Sequence, residues 1–293
     1  MLTIKRYIPS PVWSLLRKGY FRLRRSDEYL RDRYLHARAI QRLPRPDLFT
    51  DVPTPSGSMV AFVGGHDFKL VGEVFKRHFI DLANLQPDHK VLDVGCGVGR
   101  VAVALTSFLS PEGEYWGLDI TRSGIQWCRK EITSRYPNFH FEWCDVYNEV
   151  YNPIGKQNAT SYTFPFAEST FDLVFLVSVF THMLPPDFEH YLSESSRVVK
   201  PGGKCLATFF LLNDESKKLI AAGSSKQRFP HEIDGCRVAD RNLPEAALAY
   251  DEDGVRQVYE NVGFRTDGPI HYGSWCGRAS FVDYQDMIVA RRE

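Results

Sequence analysis

Three glycines at alternate positions follow a short apolar run in Val91-Leu92-Asp93-Val94-Gly95-Cys96-Gly97-Val98-Gly99-Arg100. Val91, Leu92 and Val94 read as a strand covered on both faces, as strands of an open parallel sheet are. From Val101 to Leu109 the apolar pattern turns helical. A strand, a glycine loop and a helix in succession let a ligand's polar groups reach bare backbone and the positive end of a helix. The dinucleotide spacing G-x-G-x-x-G does not fit, because its third glycine position is Arg100. What stands is D-x-G-x-G-x-G. Taken alone, the loop also suits a strand-to-helix turn that holds no ligand.

The neighbouring segments narrow the choice. Tyr115 to Ile120 reads as a second strand ending at Asp119, where a carboxylate can accept from both hydroxyls of a ribose. Phe139 to Val146 reads as a third strand, with Asp145 near its end. Phe171 to Val179 is the most apolar run in the chain and suits a central strand. Helices are expected from Phe68 to about Leu85, from Arg122 to Arg135, and through Tyr191 to Val199. A Lys200-Pro201-Gly202-Gly203 turn precedes a fifth strand, Lys204 to Leu212. Residues 213–249 are irregular and read as an insertion above the strand ends, the usual place for a substrate lid. Asp251 to Val262 is a helix closed by Gly263. Ile270 to Gly273 and Phe281 to Ala290 read as a terminal antiparallel pair.

The glycine loop, the acids ending the second and third strands, and the Pro-Gly-Gly turn together resemble the class I S-adenosylmethionine-dependent methyltransferases. The resemblance covers roughly residues 60–293. It implies an α/β fold: a Rossmann-like, doubly wound, seven-stranded sheet with an antiparallel last strand. Residues 56–293 would form that domain, with a lid insertion at about 213–250. The implied cofactor is S-adenosyl-L-methionine. Asp93, Gly95, Gly97 and Gly99 would surround its methionine end, Asp119 its ribose and Asp145 its adenine edge. Ile120, Val146 and Ser178 would flank it. Phe62, with Gly64 and Phe68, would belong to a segment folded over the methionine part.

Methyl transfer from a sulfonium needs alignment and exclusion of water, and a hydroxyl acceptor also needs a base. His182, after the fourth strand, is the candidate base; a structural histidine bonded to backbone is the alternative. His66, His231 and Asp214 are weaker candidates. An Asn-Pro-Pro-Tyr motif for nitrogen acceptors is missing where Ser178-Val179-Phe180-Thr181 stands, and so is an acid cluster for magnesium; no metal is expected. The expected acceptor is therefore an oxygen on a small molecule or glycan. Tyr162, Phe166, Phe229, Tyr272 and Trp275 would offer it an aromatic wall. The alternatives are transfer to carbon or nitrogen, or a catalytically silent cofactor-binding subunit.

The formal net charge is zero, but residues 1–46 carry 12 Lys/Arg against 3 Asp/Glu, leaving 24 against 33 in the remainder. Trp13, Leu16, Tyr20 and Leu23 fall at helical spacing among arginines and lysines. Residues 1–55 thus read as a basic helical arm and a Pro-rich linker. The arm suits either an anionic membrane surface or packing against the acidic body. A body without a basic stripe argues against nucleic acid. Six scattered cysteines, no transmembrane run and no visible signal peptide point to a cytoplasmic protein, with peripheral contact at the inner membrane surface as the arm's second placement.

Overall fold

The computed structural model describes residues 51–62, 67–266 and 268–293. Most of the basic arm and linker, with Gly64 and His66, lies outside the described residues. Helix α1 spans Gly57–Phe62. Helix α2, Phe68–Asp81, starts where the Asp67 carboxylate accepts the Leu70 amide at 3.1 Å, a side-chain cap for a donor the helix cannot satisfy. Its buried Val71, Val74, Phe75 and Phe79 recur at three- and four-residue spacing and so face one side. Phe79 stacks on Phe175 of the sheet with ring centroids 4.3 Å apart.

The principal sheet contains β1 (Lys90–Val94), β2 (Glu114–Asp119), β3 (Phe139–Trp143), β4 (Phe171–Leu176), β5 (Val199–Phe209), β10 (Phe264–Arg265) and β11 (Asp286–Arg292). Their order is β10-β11-β5-β4-β1-β2-β3. Pairing is parallel from β3 across to β5, and β11 runs antiparallel to both its neighbours. This is the expected seven-stranded sheet. The chain winds outward from β1 in one direction and from β4 in the other, so a crevice opens where their carboxyl ends diverge. Helices α3 (Arg100–Leu105) and α4 (Arg122–Cys128), the latter continued by a π turn at Arg129–Thr133, pack with α2 on one face. Helices α5 (Pro185–Val198) and α7 (Glu252–Asn261) cover the other.

Three expectations change. Residues 213–249, expected to be irregular, contain a helix and three short strands. Helix α6 (Asp214–Ala221) begins in a reciprocal Asn213–Ser216 capping box. A second sheet then joins β6 (Leu211–Leu212), β9 (Leu248–Asp251), β8 (Cys236–Val238) and β7 (His231–Ile233). Its two- to four-residue strands are too short for alternation to show. The partner of β11 at the sheet edge is β10, and Ile270–Gly273 contributes only an isolated His271–Met287 bridge. Beyond it the Gly273 amide and Trp275 indole turn to the buried Asp286 carboxylate, each at 2.7 Å. Finally, Pro201–Gly203 lies inside β5 rather than before it, as a bulge where the β4–β5 register shifts; Gly202 adopts φ +79° there.

Candidate functional site

At the exit of β1 the chain rises through Gly95, Gly97 and Gly99 at φ +86°, +58° and +72°. Glycine is needed at Gly95 because a Cβ there would collide with Val179 Cγ2. The loop is bonded to the next strand. Leu118 O accepts the Gly95 and Cys96 amides at 2.8 and 3.0 Å, and Asp119 Oδ2 accepts the Gly97 amide at 2.7 Å. Asp119 Oδ1 takes the Thr121 amide at 2.6 Å and also the Thr121 hydroxyl. Burial raises the Asp119 carboxyl above its ordinary value, while the Thr121 and Gly97 bonds work against that. A carboxylate offers about four lone-pair sites, so three bonds leave room for another donor.

Asp93 sits deeper, 2 % exposed, and accepts the Tyr115 hydroxyl at 2.6 Å. Burial pushes its carboxyl up to about 8, against the Tyr115 bond and with help from the Asp119 charge. It is a buttress beneath the loop, not a group on its surface. Asp145 is half-buried just beyond β3, and among the described residues its carboxylate has no hydrogen-bond partner. Its carbonyl accepts the Lys156 and Gln157 amides at 3.0 and 2.9 Å, folding the intervening segment back over the strand end. Ile120 is half-buried, and its carbonyl accepts the Trp143 indole at 3.1 Å. Val146 is 2 % exposed and belongs to the core. The side chain of Phe62 lies outside the described residues.

β4 ends at Leu176, short of the expected Val179, because Ser178 turns the chain at φ +58°. Its amide donates to Thr208 Oγ1 at 2.7 Å and its hydroxyl to Gln285 Oε1 at 3.0 Å. His182 closes the following 3-10 turn. Its Nδ1 lies 3.0 Å from Glu245 O, and its Nε2 lies 3.4 Å from the Tyr151 hydroxyl. A carbonyl only accepts, so Nδ1 carries the proton and Nε2 the lone pair. Burial lowers the imidazole below its usual value, partly offset by the backbone bonds. Beside it opens a cleft of about 270 Å³ whose lining includes Tyr147, Glu149, Asn158, Asp187 and Glu245.

Other expected residues go elsewhere. Phe229 and Trp275 are buried with Phe210 in a separate core cluster. The Tyr162 hydroxyl is held by Cys144 Sγ, and Phe166 packs edge-on against Phe171. Tyr272 bonds both Glu252 oxygens. The aromatic wall is therefore packing between layers. His231 lies in β7 of the second sheet and Asp214 at the start of α6. All six cysteines are buried free thiols. Tyr151, Glu245, Thr208 and Gln285 carried no sequence signal: each reaches the site from a loop or distant strand.

The residues present suit S-adenosylmethionine. The loop from Gly95 to Gly99 brings main chain without side chains, at its glycines, to the end of β1, Asp119 keeps acceptor capacity, and the unpartnered Asp145 carboxylate suits an exocyclic amine. A profile described as a methyltransferase domain matches residues 92–207. The chain is 31% identical over 137 residues to the ubiquinone/menaquinone biosynthesis C-methyltransferase UbiE of Cupriavidus pinatubonensis, covering 47% of this chain and 49% of that protein. It thus spans about half the length of such relatives. It is 30% identical over 208 residues to phthiotriol/phenolphthiotriol dimycocerosates methyltransferase 1 of Mycobacterium ulcerans, covering 66% of this chain and 68% of that one. The crystal structure of the PH0226 protein from Pyrococcus horikoshii OT3 shares the fold, with a TM-score of 0.54 at 19% identity over 79% of this chain and 93% of that one. The chain belongs to the class I S-adenosylmethionine-dependent methyltransferases. Among the described residues no helix is long and apolar enough to cross a membrane.

Proposed function

We propose that the protein transfers a methyl group from S-adenosylmethionine to a hydroxyl oxygen of a small-molecule acceptor. The observation that carries this reading is the His182 tautomer: Nδ1 is fixed on Glu245 O, and Nε2 already faces a hydroxyl, that of Tyr151. A neutral imidazole held this way can take the proton an acceptor hydroxyl loses. Burial lowers its pKa, which favours that neutral form. When bound, the cofactor supplies a methyl group already activated as a sulfonium. The chain's part is to hold that end on the glycine loop, hold ribose and adenine at Asp119 and Asp145, and accept a proton at His182 Nε2. The acceptors Asp187, Glu149 and Glu245 around the adjoining cleft suit a hydroxyl-rich molecule, a sugar among them.

Turnover on a panel of methyl glycosides, 4-nitrocatechol and menadiol tests this. His182→Gln should leave binding of S-adenosylhomocysteine unchanged and slow O-methylation at least about tenfold, within the usual contribution of a positioned base; near-normal rates would remove His182 from the chemistry. A second reading, transfer to carbon, is favoured by the C-methyltransferase name of the Cupriavidus relative. Menadiol methylated on its ring rather than its oxygen would select it.

A further inference from the structure

The loop between β10 and β11 reaches back over the carboxyl edge of the sheet and ends in Gln285. We propose that Gln285 is an acceptor-binding residue, its side-chain amide donating to an oxygen of the molecule being methylated. This rests on the methyl-transfer reading above and names a group that holds the acceptor.

Gln285 stands directly before Asp286, a carboxylate held by four donors. Asp286 is fully buried and accepts from Leu211 N at 2.8 Å, Gly273 N at 2.7 Å, Trp275 Nε1 at 2.7 Å and Arg278 Nη1 at 2.9 Å. The backbone at Gln285 is therefore fixed, and Gly273 is pressed against it so closely that a Cβ there would overlap Gln285 C and O. The side chain is fixed too. Ser178 donates its hydroxyl to Oε1 at 3.0 Å, which turns Nε2 and its two hydrogens the other way. Nε2 has no partner among the described residues, although Gln285 is half-buried. Ser178 itself is exposed, holds φ +58° and is tied to β5 through Thr208. A serine in the left-handed region costs energy, and such strain concentrates where a binding geometry is imposed. Three neighbouring strand ends, β4, β5 and β11, thus converge to present one amide donor beside the crevice where the glycine loop lies. An amide donor can bind an acceptor oxygen lone pair while the hydroxyl proton leaves elsewhere, so it complements a base and does not duplicate it.

The test compares wild type with Gln285→Ala and Gln285→Glu on whichever panel members the wild type methylates, together with S-adenosylhomocysteine calorimetry and melting curves. Both variants should bind S-adenosylhomocysteine within about twofold of wild type, and both should lose at least about tenfold in kcat/KM for the acceptor at pH 8. The Glu variant should recover toward wild type as pH falls, because a protonated carboxyl again offers a donor; the Ala variant should not. Equal acceptor kinetics in all three proteins, or weakened cofactor-product binding with unchanged acceptor KM, would overturn the assignment alone. A wild type that binds S-adenosylhomocysteine yet methylates nothing in the panel would overturn the activity reading and this assignment with it.

Discussion

The Gly97 amide donates to Asp119 Oδ2 across 2.7 Å, so the middle of the glycine loop hangs from the end of the second strand. One carboxylate thereby shapes the loop and still has a lone pair to offer the ribose proposed for it. Asp119→Asn replaces one acceptor oxygen with a donor, which must face either the Gly97 or the Thr121 amide. Leaving a buried donor unsatisfied costs about 1–3 kcal/mol. Calorimetry should show S-adenosylhomocysteine binding weakened at least about tenfold, with a lower melting temperature.

Gly95 and Val179 offer a test of loop shape by itself. Gly95→Ala adds a Cβ into Val179 Cγ2 at φ +86°. The backbone penalty is about 1–2 kcal/mol, and the collision adds to it. The double variant Gly95→Ala with Val179→Ala removes the collision and keeps the backbone cost. It should bind S-adenosylhomocysteine more tightly than Gly95→Ala alone and less tightly than wild type. Additive losses would show that the two side chains do not meet.

Asp93 should leave a signature in stability against pH. Its folded carboxyl titrates at about 8 and an unfolded one near 3.9. Between these values the unfolded chain has released a proton that the folded chain keeps, so stability declines as pH rises from about 4 to about 8. Asp93→Asn keeps an oxygen for the Tyr115 hydroxyl and has no proton to lose. Relative to wild type it should gain melting temperature steadily over that window. A constant difference from pH 4 to 8 would contradict the buried, protonated carboxyl.

How much of this was legible beforehand follows from where each signal resides. The glycine spacing and the strands ending at Asp119 and Asp145 are local patterns, and the principal sheet could be read from them. The second sheet leaves no pattern in the sequence because its strands, such as the three-residue His231–Ile233, are too short for alternation to repeat. The aromatic residues fill a core and do not line a cleft, a distinction that Trp275 and Phe229 do not carry in their sequence pattern. Gln285 was invisible for another reason: its partner Ser178 is 107 residues away, and only the register of β11 beside β5 brings them together.

Arg278 and Asp286 form a buried ion pair at 2.9 Å, and Arg278 also bonds Glu215 at 2.8 Å. Removing one partner of such a pair costs about 3–5 kcal/mol. Burial already lifts the Asp286 carboxyl to about 6, and without the guanidinium it would rise further. Because a raised carboxyl is tolerated while protonated, the deficit of Arg278→Met should be smallest near pH 4 and grow as pH rises past 6. Denaturant midpoints at pH 5 and pH 8 measure it, and equal deficits would contradict the pairing.

If Gly95 to Gly99, Asp119 and Asp145 hold one cofactor, as proposed, titration calorimetry with S-adenosylhomocysteine reads all three together. Wild type should bind one equivalent, Asp145→Ala at least about tenfold more weakly, and Gly97→Val should give no measurable heat. No heat with wild type, or equal affinity in all three proteins, would contradict it.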